Sequence, residues 1–189
     1  MSTPEPVIYQ RHRLTVADYH RIGTAGIVSE ADRVELIEGE IIDMAPIGSE
    51  HAAVVRRLVR LFDRVIGEQA IVSAQDPVWL SSFSEPEPDI ALLRYRDDFF
   101  RHAHPRPGDV LLIVEVADTS LRYDREVKLP LYARHAILEV WIVDLENRCL
   151  QVFREPAEGG YKQVQTVDRP GVMAPLQLPD CRIDLSSLF

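Results

Sequence analysis

The chain has 189 residues, 46% of them hydrophobic and 27% charged, and its formal net charge at pH 7 is −9. These values are ordinary for one soluble globular domain with a sizeable core, and no apolar stretch approaches the roughly 20 residues of a membrane span. The net negative charge also gives a polyphosphate partner no general attraction to the surface.

The N-terminus and the cysteines predict the same compartment. Residues 1–13 lack the basic-then-apolar order of a signal peptide. Cys149 and Cys181 lie in separate strand-like stretches and suggest neither a disulfide framework nor a zinc site. We therefore expect a reduced, cytoplasmic protein with a single domain over residues 1–189, in which residues 1–13 are irregular and mobile.

Hydrophobic periodicity and turn signals predict helices and short strands in a mixed order. The predicted helices cover residues 16–23, capped by Thr15, and 50–67, capped by Ser49, and a third ends near His135. The predicted strands cover residues 33–37, 40–44, 70–75, 77–80, 88–94, 109–118, 137–145, 147–155 and 160–167, with a last edge element near the C-terminus. This order predicts a mixed sheet with helices against it, in the α/β or α+β class.

Two groups of arginines are candidates for binding a nucleic acid locally. One group lies on the second predicted helix and the other in a loop-rich stretch. They are Arg56, Arg57, Arg60 and Arg64, and Arg94, Arg96, Arg101 and Arg106. Because such clusters are also common on solvated faces, both interpretations stay open.

One acid interrupts the most apolar predicted strand. Residues 111–116 are apolar except for Glu115, and continuous runs of this kind are typical of strands buried on both faces. Burying an ionised carboxylate is very costly unless it is paired, hydrogen-bonded or bound to a metal. Glu115 therefore needs a partner.

A second acid, Asp89, leads into the apolar strand that precedes it in the chain. Taken singly, each acid is equally well explained as a strand-end residue that reaches solvent. Adjacent strands lie about 4.8 Å apart, however, so two acids on one face can converge on one cation. Carboxylate oxygens are the ligands that Mg²⁺ prefers, with waters in its remaining positions. The pair is therefore a candidate site for a cation such as Mg²⁺.

A lysine follows on the third predicted helix. Asp124, Lys128 and Tyr132 have the i, i+4, i+8 spacing of one helical face. That spacing suits either an exposed Asp–Lys pair or a lysine directed at the carboxylates, where it would stabilise phosphoryl charge or orient a water. Because the first turn of a helix tolerates proline and the interior does not, Pro130 predicts a helix that starts late or kinks near Lys128.

Four motifs, in this order, resemble a known family: PEPDIALL, LLIVEVADTS, YDREVKLPLYARH and EVWIVD. This is the Uma-type family of restriction-endonuclease-like proteins, catalogued as a domain of unknown function and assigned to the PD-(D/E)XK nuclease superfamily. RVELIEGEIIDMAP and SEHAAVVRRL extend the resemblance over roughly residues 15–155. It implies a restriction-endonuclease-like mixed β-sheet core flanked by helices.

By position, the resemblance assigns the superfamily's "PD" to Pro88–Asp89 and its (D/E)XK acid to Glu115. The matching lysine position holds Ala117, which departs from the superfamily pattern. Residues 115 and 117 point to the same sheet face, so a small alanine leaves room there for a longer side chain. The resemblance suggests that Lys128 fills this space.

Three more residue sets have a functional and a plain interpretation. Superfamily nucleases often add an N-terminal acid near the metal, and Glu35 matches it, although strict alternation would turn this side chain outward. His51, in the first turn of a predicted helix, is either a solvent-exposed or locally hydrogen-bonded side chain, or a ligand or acid–base group, since histidine titrates near neutrality. The HxH pair of His102 and His104 can chelate a metal, but in an Arg/Pro-rich loop it is more often incidental.

We expect a metal-dependent endonuclease that hydrolyses phosphodiester bonds in nucleic acid, DNA more than RNA, and forms a homodimer. The expected catalytic residues are Asp89, Glu115, Lys128, Glu35 and His51. The expected ligands of Mg²⁺ or Mn²⁺ are Asp89, Glu115 and the carbonyl of Val116. The alternatives are a catalytically inactive nuclease-fold module that binds nucleic acid or protein, and a structural homo-oligomer whose acids are surface groups.

Overall fold

A computed structural model of the chain describes residues 11–29 and 32–189. The expected mobile segment, residues 1–13, lies for the most part outside the described residues. Within them, the helices are α1 (Val16–Thr24), α2 (Ser49–Ile66), α3 (Leu121–Tyr123) and α4 (Leu129–Arg134). No helix of the described segments is both long enough and apolar enough to cross a membrane.

Six strands form one mixed sheet in the order β3-β4-β5-β6-β7-β8. They are β3 (Ala70–Ala74), β4 (Ile90–Arg94), β5 (Val110–Ala117), β6 (Glu139–Asp144), β7 (Cys149–Ala157) and β8 (Gly160–Val167). Among these six described strands only β5 and β6 pair in parallel, and the helical crossover α3–α4 joins them. Two short antiparallel pairs complete the fold: β1 (Val34–Ile37) with β2 (Glu40–Asp43), and β9 (Val172–Met173) with β10 (Ile183–Asp184).

Both faces of the sheet are covered, which explains the apolar run of β5. One core cluster joins Val114 and Val116 of β5 to helix α2, and the other joins Ile113 and Ala117 to helix α4. Every residue of β5 is buried. Glu115 therefore faces the layer that the hairpin β1–β2 and the helix after β5 build over the sheet.

The helix after β5 changes its winding immediately before Pro130. Residues Asp124–Lys128 form a π-helical segment between α3 and α4, and the Leu129 N–H donates to the Asp124 carbonyl. Pro130 has no N–H with which to continue the regular ladder, and it occupies the start of α4. The helical region does not start late, because α3 already begins at Leu121. Lys128 lies where the π-helical segment meets α4.

Two local predictions were wrong. Residues 77–80 are not a strand, because their backbone N–H groups bond to the irregular Pro/Ser-rich segments: Val78 to Pro86, Trp79 to Pro105 and Leu80 to Ser84. Helix α2 has Gly48 at its N-cap and no side-chain cap, so Ser49 is its first residue rather than its cap.

Replacing Phe62 by alanine tests the α2 side of the core. Phe62 is fully buried and its ring centroid lies 6.3 Å from that of Trp141. We expect Phe62→Ala to lower the free energy of unfolding by about 3–5 kcal/mol. Urea unfolding measures this. The matched control is Phe99→Ala, whose side chain is 63% exposed; an equal loss in both variants would contradict the packing described.

Candidate metal-binding site

A cavity of about 310 Å³ lies beside the point where β5 ends, between the hairpin β1–β2, the start of α2 and the helix after β5. Carboxylates dominate its polar lining. Its acidic residues are Glu35, Asp43, Glu87, Asp89, Glu115, Asp118 and Asp124, and its basic residues are Arg33, His51 and Lys128.

Backbone hydrogen bonds hold Asp89 and Glu115 side by side. Strands β4 and β5 are antiparallel, with Ile90 opposite Val114, so the residue before β4 lies next to Glu115. The Asp89 N–H donates to Glu115 Oε2 at 3.3 Å, and the Val116 N–H donates to Asp89 Oδ2 at 2.9 Å. Each acid is thus fixed by the backbone of the strand that carries the other.

Lys128 reaches this pair from the π-helical segment. Its Nζ lies 3.2 Å from Glu115 Oε1 and 3.4 Å from Glu35 Oε2. Only 5% of the side chain is exposed. Ala117, two residues beyond Glu115 on the same face, is fully buried and carries only a methyl group there. The structure therefore brings Lys128 to the acids; its part in catalysis stays a prediction.

Glu35 points into the site rather than outward. All four residues of β1 are buried, because the helix after β5 covers the face that strict alternation would expose. The Tyr123 hydroxyl donates to Glu35 Oε1 at 3.0 Å, and the Glu87 N–H donates to Glu35 Oε2 at the same distance. Glu35 is 1% exposed and shares Lys128 with Glu115.

His51 contacts the other acid of the pair. Its Nε2 lies 3.0 Å from Asp89 Oδ2, and its side chain is 13% exposed. Its Nδ1 is buried without a hydrogen-bond partner among the described residues. This contact orients the Asp89 carboxylate.

Burial makes the carboxyl groups reluctant to ionise. It raises the pKa of Glu115 to about 8, although Lys128 opposes the shift. It raises the pKa of Asp124 to about 6, again against Lys128. The surrounding acids hold the pKa of Lys128 above its usual value in spite of burial, so this side chain stays an ammonium.

The donor set fits a divalent cation. Glu115 Oε1 accepts from the Tyr132 hydroxyl at 2.6 Å as well as from Lys128, whereas among the described residues Oε2 accepts only the long bond from the Asp89 N–H. Within the same part of the chain, Asp89 Oδ1 accepts only from Gln75, at 3.4 Å. A carboxylate oxygen has two lone pairs, so Glu115 Oε2 and Asp89 Oδ1 keep capacity for a hard cation.

Sequence reasoning overlooked several residues of this site. The sequence marks Tyr132 only by its helical spacing and Asp124 only as a partner of Lys128, and it assigns no role to Tyr123 or Glu87. The alternating acids of the segment SEPEPD were the available signal for Glu87. Tyr123 and Tyr132 gave none, because hydroxyl contacts with Glu35 and Glu115 depend on a helix position that only the fold sets.

The two arginine groups lie outside the cavity. The first group is exposed on α2, and the second is exposed at the end of β4 and in the loop after it. They are Arg56, Arg57, Arg60 and Arg64, and Arg94, Arg96, Arg101 and Arg106. Several are engaged within the protein: Arg96 pairs with Asp98, and Arg106 stacks on the Trp79 ring with 3.8 Å to its centroid.

Comparisons with known proteins agree with this architecture. The model of the Uma2 family, described as "Putative restriction endonuclease", matches residues 16–186. The crystal structure of a protein from Anabaena variabilis, titled a putative nuclease of DUF820, superposes with a TM-score of 0.69. The two chains are 16% identical, and the match covers 93% of this chain and 97% of the other. No curated protein matches the sequence. The predicted restriction-endonuclease-like mixed sheet is confirmed.

The raised pKa of Asp124 predicts a pH-dependent loss of stability. Between pH 4 and 6 the folded state keeps a proton that the unfolded state releases, so stability from this group falls as the pH rises through that window. Asp124→Asn removes the titration but leaves an acceptor for the Ser120 hydroxyl. We expect the stability of the wild type, relative to the variant, to fall by up to about 3 kcal/mol from pH 4 to 6.5.

Urea unfolding in a chelator, at half-unit steps of pH, measures this difference. Asp76→Asn, at an exposed aspartate outside the cavity lining, is the control and should follow the wild type. Parallel curves for the wild type and Asp124→Asn would contradict the raised pKa.

Proposed function

Because the chain belongs to the Uma2 family of restriction-endonuclease-like nucleases, we propose that it is a metal-dependent endonuclease that hydrolyses phosphodiester bonds in nucleic acid. The observation that carries the proposal is the convergence of Asp89, Glu115 and Lys128 in one cavity. Paired carboxylates with free lone pairs beside a buried ammonium match the requirements of phosphodiester hydrolysis.

Asp89 and Glu115 would hold Mg²⁺ or Mn²⁺, with the carbonyl of Val116 as a further candidate ligand. When bound, such an ion supplies a nucleophilic water and offsets charge on the scissile phosphate. His51 contacts Asp89 Oδ2, the oxygen that also accepts from the Val116 N–H, and so helps to fix the direction of this carboxylate. The lone-pair capacity of Glu115 Oε2 and Asp89 Oδ1 supports these ligand assignments.

Lys128 and the residues around it would act on the substrate side. The Nζ is buried, charged and directed into the cavity lining, where an ammonium stabilises a phosphate oxygen more strongly than in water. Glu35 Oε2 and the Glu87 carbonyl oxygen each lie 3.4 Å from Nζ and hold the amine beside the Asp89–Glu115 pair. Tyr132 fixes the Glu115 carboxylate by its short hydroxyl bond.

The finer features of the proposal follow from the family and from general rules. The family description, restriction endonuclease, favours DNA over RNA as the substrate. A homodimer is proposed because two-fold dimers are the commonest soluble oligomers. The cytoplasm is proposed because two buried free cysteines suit a reducing compartment.

A catalytically inactive module that binds nucleic acid or protein is the second candidate function. The observation in its favour is that Glu115 already has protein partners, since Lys128 and Tyr132 both contact Oε1. If the Lys128–Glu115 ion pair never separated, the protein would fold normally but would not cleave nucleic acid. Salt-sensitive binding without cleavage is the outcome that distinguishes it.

Neutralising the paired acids tests the nuclease directly. We expect the wild type to cleave DNA with Mn²⁺ or Mg²⁺, and Asp89→Asn or Glu115→Gln to lower cleavage by at least about 1,000-fold, because each removes a ligand of the activating metal. The assay is single-turnover cleavage of labelled duplex and single-stranded DNA and RNA. Near-ultraviolet circular dichroism verifies that each variant is folded.

Glu126→Gln is the matched control, since Glu126 is an exposed acid on the same helix as Lys128. It should cleave like the wild type. Cleavage that survives both site variants at full rate would contradict the proposal, and salt-sensitive binding with no cleavage by any protein would support the inactive module instead.

Lys128→Met separates metal binding from catalysis. The substitution frees Glu115 from its ammonium partner, so Mn²⁺ should bind as tightly as in the wild type or more so. Cleavage should fall at least about 100-fold, because the ammonium that stabilises phosphoryl charge is gone. Removing one partner of a buried pair also lowers stability, by about 3–5 kcal/mol, and metal should restore part of it.

Isothermal titration with Mn²⁺ and the cleavage assay give the two readouts. The chain has one other lysine, Lys162, which is exposed on β8, so Lys162→Met is the matched control. Equal cleavage by Lys128→Met and Lys162→Met would show that Lys128 has no part in the chemistry.

A further inference from the structure

A second group of metal-binding side chains lies outside the carboxylate cavity. His20 of α1, Glu85 of the SEPEP segment and His104 of the loop after β4 each offer one ligand atom, and these atoms all lie within 4.8 Å of one another. The rings of His20 and His104 have centroids 6.1 Å apart. His104 belongs to the HxH pair, and the cluster includes it without its neighbour His102.

Glu85 is the unusual member of this cluster. Its side chain is 2% exposed, and Oε1 lies 2.7 Å from His20 Nε2. The other oxygen, Oε2, is buried and has no hydrogen-bond partner among the described residues. A buried carboxylate oxygen without a partner is costly, because its lost hydration is not replaced. A cation between Glu85 and the two imidazoles would replace it.

Backbone contacts hold the Glu85 and His20 segments independently of any ion. The Glu85 N–H donates to the Leu36 carbonyl at 2.8 Å. Helix α1 is fixed by the Thr15 capping box and by a Val16 N–H bond to the Ser82 carbonyl at 2.8 Å. Two of the three ligands therefore come from preformed positions.

The loop that carries His104 is anchored just after it. The Trp79 N–H donates to the Pro105 carbonyl at 2.9 Å, and the Arg106 guanidinium stacks on the Trp79 ring. The His20 ring also meets Trp79 edge-on, with 6.1 Å between centroids. The third ligand thus lies next to a fixed point of the fold.

The donor set selects the class of metal. Two imidazoles and one carboxylate are ligands of Zn²⁺ and similar transition metals, at about 2.0–2.2 Å in a tetrahedral arrangement. Mg²⁺ prefers oxygen ligands alone and would not use two imidazoles. All three residues line an open cleft of about 850 Å³, so the fourth position faces solvent.

We propose that His20, Glu85 and His104 form a second metal site, for Zn²⁺ or a similar transition-metal ion, separate from the carboxylate site around Asp89 and Glu115. The two cavities share only Arg33 and Glu87 in their walls. The ion would join α1 and the loop after β4 to the segment that leads to Asp89, and the inference does not depend on the proposed nuclease activity.

Zinc titration of the full chain tests the site. An Asp89→Asn background, prepared metal-free, excludes the first site from the measurement. We expect isothermal titration in excess Mg²⁺ to give one Zn²⁺ per chain. His104→Ala and His20→Ala should each weaken binding at least 100-fold. His102→Ala, in the same loop but outside the cluster, should bind like its parent.

A second readout separates a metal site from a simple His20–Glu85 ion pair. Zn²⁺ should raise the melting temperature of the parent and of His102→Ala, and should not raise that of His104→Ala, which keeps the ion pair intact. Co²⁺ in the same site should give the visible absorption of a tetrahedral ion, lost in His104→Ala. Absence of Zn²⁺ binding, or binding and stabilisation in His104→Ala equal to those of His102→Ala, would overturn the proposal.

Discussion

The buried contact between Lys128 and Glu115 is the interaction on which the rest of the site depends. Glu115 lies in a strand with no exposed residue, where an ionised carboxylate without a cation would be strongly disfavoured. Lys128 supplies that cation and also reaches Glu35. One ammonium does not balance all the acids of the cavity. Burial therefore still raises the pKa of Glu115 and Asp124 in spite of Lys128. This excess of buried acid is the physical reason to place a divalent cation here.

Lys128 lies on the helix after β5 and not on the strand that carries Glu115. The resemblance to the PD-(D/E)XK pattern implies a lysine on the strand itself, two residues after the acid, but that position here is Ala117. The π-helical turn before Pro130 places Lys128 at the junction of two helical segments, over the same face of the sheet. Strand β5 thereby remains packed on both sides, and the amine still lies 3.2 Å from Glu115. The helix, rather than the strand, sets the geometry between amine and acid.

Much of this arrangement is predictable from the sequence, and the limits have physical causes. The apolar run around Glu115 predicts a strand buried on both faces, and the acid before the neighbouring strand predicts its partner. Strand alternation, by contrast, gives no basis for burying Glu35, because its burial depends on a helix that covers the hairpin from far along the chain. The tyrosines that fix Glu35 and Glu115 give no local signal for the same reason. Residues 77–80 look like a strand but bond to proline-rich segments, which periodicity does not detect.

The most direct test of the account is anomalous diffraction from a crystal soaked in Mn²⁺. The account predicts a peak between Asp89 and Glu115, at about 2.0–2.6 Å from an oxygen of each, as expected for a hard cation on oxygen ligands. Lys128 should remain in the cavity beside it. A soak at saturating Mn²⁺ that gives no peak at this position and leaves the Lys128–Glu115 contact unchanged would contradict the claim that these acids form a metal site.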